Sequence, residues 1–182
     1  GVVYVSCSER VVAFAADDGD QCWETDLELE GTIHGPPAVA DGRVAISCGD
    51  TLCVLAAADG ERQFRFDTGG RLSASPAVAD GSVYVASEDG SLYAIDASTG
   101  SERWRDALGQ AGSGPVVLGD TVCLGTADGK LHALSTADGS RWWTVTPETV
   151  GAEPALVVAS GQLCLGDEAG LTSFGADQSS WT

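Results

Sequence analysis

Short apolar stretches that alternate with polar residues recur along the whole chain, each bounded by glycine or aspartate. Examples are Val83-Tyr84-Val85, Val122-Cys123-Leu124 and Leu163-Cys164-Leu165. A period of two predicts half-buried β-strands, and no stretch of ten or more residues between glycines shows the 3.6 period of a helix. The pattern therefore predicts an all-β chain with almost no helix.

Asp-Gly dipeptides lie between many of these stretches and predict tight hairpins. They are Asp18-Gly19, Asp41-Gly42, Asp59-Gly60, Asp80-Gly81, Asp89-Gly90, Asp128-Gly129 and Asp138-Gly139. Asp-Gly favours a turn in which both central residues take positive φ, which suits the twist of paired strands. We expect this turn at each of them.

One unit of about 40 residues repeats through the sequence. Its proline recurs at Pro37, Pro76, Pro115 and Pro154. Its turn glycine recurs at Gly19, Gly60, Gly100 and Gly139, and its aromatic residue follows four positions later at Trp23, Phe64, Trp104 and Trp143. Such a period indicates a repeat architecture, in which one unit buries its apolar face only by stacking on a neighbour.

The third repeat gives the strand template, with strand A at about 75–79, B at 82–87, C at 91–96 and D at 102–107. Four antiparallel strands in about 40 residues make one propeller blade. The predicted fold is an all-β propeller of four-stranded antiparallel blades, with four to five blades present as a partial or unusual ring. We expect a single domain over residues 1–182, with blades at about 1–30, 31–70, 71–110, 111–149 and 150–182.

Both ends of the chain depart from the template. The chain opens in a B strand, from Val2 to Ser6, so the first blade lacks its A strand. The last repeat shows strands A, B and C near 154–174, followed by a tail through Trp181 that could form a degenerate D strand. The absence of methionine, even at position 1, indicates a processed, trimmed or excised piece.

The four recurring aromatic residues are predicted to dock neighbouring blades. A buried tryptophan removes roughly 150–250 Å² from water. Placed between adjacent sheets, such a ring would hold neighbouring blades at a fixed angle. We therefore assign the four aromatics and the four turn glycines a structural role, and we assign no residue to catalysis, to a cofactor or to a metal.

Charge excludes some partners. The net charge is −18, from 27 acidic and 9 basic residues, and Lys130 is the one lysine. Such a surface repels phosphate backbones and anionic membranes, so we expect no nucleic-acid partner. Two interpretations stay open: the surface of a protein from a halophile, or an acidic protein that faces a basic partner. No apolar run approaches the roughly 18 residues of a membrane span, and no signal-peptide pattern is visible.

The cysteines and histidines predict no reactive site. Cys7 and Cys48 share one column of the repeat, and Cys123 and Cys164 share another, which is typical of small buried hydrophobic residues. We expect free buried thiols, with one disulfide or a reactive or metal-binding thiol as the alternatives. His132 is predicted to pack in a strand, while His34 is a loop residue. The acidic run 17–20 is predicted to be a turn and not a calcium loop.

The segment from Ala94 to Trp104, AIDASTGSERW, resembles the tryptophan-docking motif A-x-D-x-x-T-G-x-x-x-W of pyrroloquinoline-quinone (PQQ) repeat propellers. The other repeats match in part, with Ala15 and Ser135 in the aspartate place and Phe64 in the aromatic place. The resemblance covers essentially the whole chain. It implies a ring that commonly has seven or eight blades. Either further blades or a second copy complete the ring, which we favour, or the chain closes as an unusual five-bladed ring.

The resemblance implies two possible functions. The first is a non-catalytic scaffold that binds a protein partner, without a cofactor, through a contact rim of loops at 68–73, 107–113 and 146–153. The alternative is a fragment of a PQQ-dependent quinoprotein dehydrogenase. Those enzymes use calcium, an adjacent Cys-Cys disulfide, Asn and Glu ligands and a catalytic Asp, whereas this chain has no adjacent cysteines and no asparagine. The family also favours an extracytoplasmic or cell-surface location.

Overall fold

The computed structural model describes residues 1–28, 31–146, 155–159, 162–167 and 170–175. Within these ranges the chain forms 18 strands and no helix. The strands are β1 (Val2–Cys7), β2 (Arg10–Ala15), β3 (Gln21–Asp26), β4 (Ala38–Ala40), β5 (Arg43–Cys48), β6 (Thr51–Ala56), β7 (Arg62–Asp67), β8 (Ala77–Ala79), β9 (Ser82–Ala86), β10 (Ser91–Asp96), β11 (Glu102–Ala107), β12 (Val116–Leu118), β13 (Thr121–Gly125), β14 (Leu131–Ser135), β15 (Arg141–Val145), β16 (Ala155–Ala159), β17 (Gln162–Asp167) and β18 (Gly170–Gly175).

The strands form five antiparallel sheets in which each strand pairs with its neighbour in sequence. Sheet 1 contains β1–β3, sheet 2 contains β4–β7, sheet 3 contains β8–β11, sheet 4 contains β12–β15 and sheet 5 contains β16–β18. Sheet 3 follows the predicted A, B, C and D strands closely, and sheet 1 begins with a B strand as expected. The predicted all-β propeller fold is therefore confirmed, although the sheets do not close into a ring in the described part of the chain.

The hydrophobic core lies between sheets and not within any one of them. One cluster joins Val11 and Trp23 of sheet 1 to Val44 and Ile46 of sheet 2. Equivalent clusters join sheets 2 and 3, 3 and 4, and 4 and 5. Because the central strands of sheet 3 have a neighbouring sheet on each face, β9 is buried along its whole length, and its residues after Ser82 form a continuous apolar run.

The predicted turn geometry holds for some Asp-Gly pairs and is wrong for others. Asp41-Gly42 and Asp80-Gly81 have positive φ at both residues, at 51° and 72° and at 49° and 69°. At Asp18-Gly19 only the glycine has positive φ, at 77°. This turn is longer than a two-residue hairpin, since the Gly19 N–H donates to the Ala15 carbonyl and the strand register shifts by one residue between Ala13 and Phe14. A longer, bulged turn does not require positive φ at both residues of the Asp-Gly pair.

In the described ranges no helix is long and apolar enough to cross a bilayer.

Candidate functional site

The first docking contact joins Trp23 of sheet 1 to a turn of sheet 2. Trp23 is 9% exposed, and its Nε1–H donates to the Ala57 carbonyl at 3.1 Å. The ring lies directly on Gly60, because a Cβ built there would stand 2.6 Å from Trp23 Cε3. The Gly60 carbonyl also accepts a hydrogen bond from Thr25 Oγ1 at 2.8 Å. Because Gly60 has no side chain, it leaves room for the ring of Trp23 from the preceding sheet.

The same arrangement joins sheet 3 to sheet 4. Trp104 Nε1 donates to the Thr136 carbonyl at 3.0 Å, and its ring lies against Gly139, where a Cβ would stand 2.6 Å from Cε3. A tyrosine completes each of these junctions. Tyr84 Oη donates to the Thr136 carbonyl at 3.4 Å, as Tyr4 Oη donates to the Ala57 carbonyl at 3.1 Å.

At the junction between sheets 2 and 3 an aromatic ring also lies on the turn glycine, but the two side-chain hydrogen-bond donors are absent. Phe64 lies on Gly100, where a Cβ would stand 2.7 Å from its ring. Phe64 has no ring N–H, and Ala45 occupies the position of Tyr4 and Tyr84. The two side-chain donors of the other junctions are therefore both replaced by apolar groups here.

Two of the predicted docking residues lie at the ends of the stack. Trp143 lies half-buried in β15 beside the cluster that joins sheets 4 and 5. The turn of the last repeat that would face it falls outside the described residues. Gly19, in the first sheet, has positive φ at 77° but nothing within 4 Å of a Cβ built on it. The docking role of the aromatics stays a prediction that substitution can test.

Asp96 fixes the turn of the repeat with the full motif. Its Oδ1 accepts the Ser98 and Thr99 backbone N–H groups at 2.9 Å each, and Arg103 Nη2 lies 2.7 Å from Oδ2. The hydrogen bond from the Ser98 hydroxyl, then those from Arg103 and the Thr99 backbone, hold the pKa of Asp96 far below its usual range. The other repeats, with Ala15, Ala56 or Ser135 at this place, lack this carboxylate.

The first linker of the predicted contact rim, residues 68–73, is held on two neighbouring sheets. The Thr68 hydroxyl donates to the Asp50 carbonyl at 2.7 Å, and the Leu72 N–H donates to the Gly49 carbonyl at 2.7 Å. On the other side the Asp89 carboxylate accepts the Gly69 N–H at 3.1 Å. A Cβ on Gly70 would stand 2.6 Å from the Asp89 nitrogen, so the backbone passes close over the next turn.

Asp89 is the polar centre of that turn. Besides Gly69 it accepts the Tyr93 hydroxyl at 2.5 Å and the Ser91 N–H at 2.8 Å. Burial raises its pKa, but the hydrogen bonds from Tyr93, Ser91 and Ser87 together lower the pKa below its usual value. Sequence analysis identified Asp89 only as part of an Asp-Gly turn, because its contact with Gly69, 20 residues away in the chain, is seen only in the structure.

The second linker, residues 107–113, is held in the same way on sheet 4. The Gly112 N–H donates to the Gly125 carbonyl at 2.9 Å, and the Ala127 N–H donates to the Gln110 carbonyl at 2.9 Å. A small cavity of about 280 Å³ lies between the two linkers, lined by Ser73, Ala74, Gln110, Ala111, Gly112, Ser113 and Ala127. Of the third predicted loop, 146–153, every residue after 146 lies outside the described residues.

The two histidines lie where the sequence predicted. His132 is buried in β14, with Nε2 3.2 Å from Thr126 Oγ1 and Nδ1 3.0 Å from Thr144 Oγ1. Burial lowers the pKa of His132, and the nearby Arg141 charge lowers it further. His34 lies on the linker before β4, with Nε2 2.9 Å from Arg71 Nη2.

The cysteines are only partly as expected. Cys48, Cys53 and Cys123 are buried free thiols, and burial raises the pKa of Cys53 to about 11 and that of Cys123 to about 12. The prediction of burial is wrong for Cys7 and Cys22, which are exposed free thiols. Cys7 ends β1 of sheet 1, which within the described residues has a neighbouring sheet on one face only. Cys22 lies on the edge strand β3, at the position of Arg103 in β11, which is exposed as well.

Metal-ligand chemistry finds no support in the described residues, since they contain no group of three or more His, Cys, Asp or Glu side chains that could hold an ion. The run Asp17-Asp18-Gly19-Asp20 forms a turn, with Asp18 Oδ1 accepting the Asp20 N–H at 3.0 Å. This is the turn chemistry that the sequence predicted.

Comparison with known families adds to this geometry. Residues 7–182 match the family described as outer membrane protein assembly factor BamB. The chain belongs to this PQQ-repeat family. No curated protein matches the sequence.

Solved structures show the same fold. BamB from Moraxella catarrhalis is 22% identical, with a TM-score of 0.73 over 95% of this chain and 57% of that one. A quinohemoprotein alcohol dehydrogenase from Pseudomonas putida HK5 is 18% identical, with a TM-score of 0.72 over 100% of this chain and 41% of that one. The computationally designed Ika4 protein is 16% identical, with a TM-score of 0.70 over 86% of this chain and 98% of that one. The chain therefore spans a little over half the length of the BamB structure.

Proposed function

We propose that this chain is a non-catalytic propeller scaffold that binds a protein partner through its contact rim. The observation that carries the proposal is that linkers of different sequence are anchored at equivalent points. The bridges Ile33–Cys48, Leu72–Ser87 and Ala111–Thr126 fix each linker, ahead of its A strand, at the end of the B strand of the sheet that follows. A constant backbone with variable side chains suits a recognition surface.

Hydrogen bonds also hold the rim in one conformation in the absence of a partner. Both linkers are tied by backbone hydrogen bonds to the turns on either side. A surface that is ordered in advance loses little conformational entropy on binding, so more of the contact energy appears as affinity. Membership of the BamB family supports a protein as the partner.

Site-specific photocrosslinking tests this proposal. A benzoylphenylalanine at Gln110, on the rim, is compared with one at Asp138, in a turn at the opposite ends of the strands. We expect a discrete protein adduct in the source cells from position 110 and none from position 138. Adducts of equal yield at both positions, or none at either, would contradict the rim.

The alternative function is a fragment of a quinoprotein dehydrogenase, and the shared fold of the Pseudomonas putida enzyme supports it. The residues on hand do not fit that cofactor site, because the described ranges offer no ion-binding cluster and the sequence has no asparagine. Adding PQQ and calcium and assaying dye-linked oxidation of alcohols or sugars separates the two functions. Turnover would overturn the scaffold proposal.

We also infer that the acidic surface is adapted to concentrated salt, and that further blades or a second copy complete the ring. The net charge of −18 with a single lysine supports the first inference. The length relative to BamB supports the second. Light scattering distinguishes a monomer from an assembly of copies.

A further inference from the structure

The two described linkers of the contact rim make the same backbone hydrogen bonds, so their side chains can be compared position by position. The Arg71 carbonyl accepts the Glu88 N–H at 2.8 Å, and the Gln110 carbonyl accepts the Ala127 N–H at 2.9 Å. In each case the N–H belongs to the turn between the second and third strands of the sheet that follows. Arg71 and Gln110 are therefore equivalent residues of the two linkers.

Arg71 meets a histidine of the linker before β4. His34 follows the bridge residue Ile33 in that linker, as Ser73 follows the bridge residue Leu72 in the next one. Arg71 Nη2 lies 2.9 Å from His34 Nε2, and because a guanidinium can only donate, the imidazole nitrogen is the acceptor. Arg71 forms no ion pair with the described residues. At this place on the rim, a guanidinium is therefore held by a neutral acceptor.

One repeat further along, the same two places hold shorter side chains. Ser73 stands at the place of His34, and Gln110 stands at the place of Arg71. Both residues line the cavity of about 280 Å³ between the two linkers. Sites that enclose whole small molecules start at about 300 Å³, so this volume suits one long side chain. The cavity corresponds to the space that the Arg71 side chain takes in the preceding repeat.

The walls of this cavity carry polar groups and no charged side chain. The Ser113 hydroxyl is already in use, since it donates to the Gly114 carbonyl at 3.1 Å and accepts the Gly125 N–H at 2.9 Å. The Gln110 amide and the Ser73 hydroxyl make no hydrogen bond to the described residues, and both side chains are exposed. Their two oxygens are therefore open to a donor that enters the cavity.

The charge of the molecule favours a cation in this cavity. The net charge is −18, and no cationic side chain lines the walls. The field of the whole protein would repel an anion and attract a guanidinium. A guanidinium is also more weakly hydrated than an ammonium, which suits it to a partly buried site. Arginine is enriched among the residues that carry most of the binding energy at protein interfaces.

We propose that this cavity receives one arginine side chain of the protein partner. The guanidinium donates to Gln110 Oε1 and Ser73 Oγ, and the aliphatic part of the side chain lies against Ala74 and Ala111, which also line the cavity. The inference rests on the proposed function, because it assigns the chemistry that the contact rim recognises.

The test uses the full chain and N-acetyl-L-arginine N-methylamide, a probe that carries a single arginine side chain. A titration followed by NMR amide shifts should saturate, with a Kd of about 1 mM for so small a ligand. The amides of Ala74, Gly112 and Ser113 should shift, and that of Asp138, at the opposite ends of the strands, should not. The citrulline analogue, a neutral urea of nearly the same shape, should bind at least about tenfold more weakly.

A variant that fills its own cavity provides the matched control. Gln110→Arg combined with Ser73→His reproduces the contact of Arg71 with His34 one repeat later, and it should abolish saturable binding. Both positions are exposed, so the amide spectrum should otherwise stay that of the folded chain. Gln63→Arg adds the same charge at an exposed position of β7, and it should leave the Kd unchanged.

Three outcomes would overturn the proposal. The first is no shift of the cavity amides at a probe concentration about tenfold above the expected Kd, in a folded chain. The second is equal binding of the citrulline analogue, and the third is unchanged binding by the self-filled variant. The probe needs no partner, so these outcomes reject the arginine cavity alone. A crosslinked adduct from position 110 without binding of the probe would leave the scaffold function standing.

Discussion

At the scale of residues, an aromatic ring lies on a glycine of the next repeat, and we expect the cohesion of neighbouring sheets to depend on this contact. Gly60, Gly100 and Gly139 each have positive φ and each would place a Cβ within 2.7 Å of a ring atom. Two requirements therefore act on one residue: a left-handed backbone and an absent side chain. Glycine alone satisfies both.

Alanine substitution separates these two requirements. Gly19→Ala introduces strain at φ 77° with no clash, whereas Gly139→Ala adds a Cβ 2.6 Å from Trp104 at φ 73°. We expect Gly19→Ala to cost about 1–2 kcal/mol of unfolding free energy from backbone strain. Gly139→Ala should cost about 1–3 kcal/mol more from the clash. Urea denaturation measures both, and equal losses would show that the ring does not depend on the glycine.

The contribution of the indole N–H to stability can be tested by removing it from one junction and adding it to another. Trp104→Phe removes the donor to the Thr136 carbonyl and should cost about 0.5–1.5 kcal/mol. Phe64→Trp adds an N–H where the Ala97 carbonyl occupies the place of Thr136, and should gain a similar amount. Chemical denaturation gives the two differences. A loss of stability in Phe64→Trp would mean that the space between sheets 2 and 3 does not admit an indole.

At the scale of elements, a buried histidine makes strand β14 sensitive to pH. Burial and the Arg141 charge lower the pKa of His132 below 6.5, and the neighbouring Asp128 charge only partly opposes them. The unfolded chain then binds a proton near pH 6.5 that the folded chain does not, so stability falls as pH falls below that value. Each unit of pKa lowering corresponds to about 1.4 kcal/mol.

His132→Gln tests this sign. In the variant, the free energy of unfolding should no longer fall between pH 7 and the pKa of His132 in the folded chain. At lower pH the free energy of unfolding should still fall, because folding lowers the pKa of four aspartates below 3.8. They are Asp89, Asp96, Asp128 and Asp138. Thermal melts across this pH range provide the measurement. An unchanged profile above pH 5 would show that His132 is not the titrating group.

The elements themselves were largely predictable from the sequence. Alternation and the Asp-Gly spacing placed the strands of sheet 3 within one or two residues, because each strand carries its own burial pattern. The turn types were less predictable, since loop length decides between two-residue and bulged turns. The hydrogen bonds of Asp89 to Gly69 and of Tyr4 to Ala57 were not predicted, because both join residues of different repeats.

At the scale of the whole molecule, the fold is a row of sheets whose core lies at their junctions. In such an array the stability is close to a sum over repeats and junctions, so loss of one junction weakens its neighbours. The exposed Cys7, Val3 and Val39 all lie on or beside sheet 1, which packs against one other sheet in the described part of the chain.

Salt should act on the molecule as a whole. The charge of −18 destabilises a compact state by self-repulsion, which concentrated salt screens. We expect the midpoint of thermal unfolding to rise from dilute buffer to multimolar KCl. A midpoint that does not rise would contradict adaptation to brine and favour an acidic protein with a basic partner.

The measurement that tests the stacking of repeats most directly is the unfolding free energy of Trp104→Ala. This ring is 9% exposed and joins sheet 3 to sheet 4 through Gly139 and the Thr136 carbonyl. We predict a loss of about 3–5 kcal/mol, as for other large truncations in a core. A loss below about 1 kcal/mol, which is typical of surface substitutions, would contradict the docking of blades by this residue.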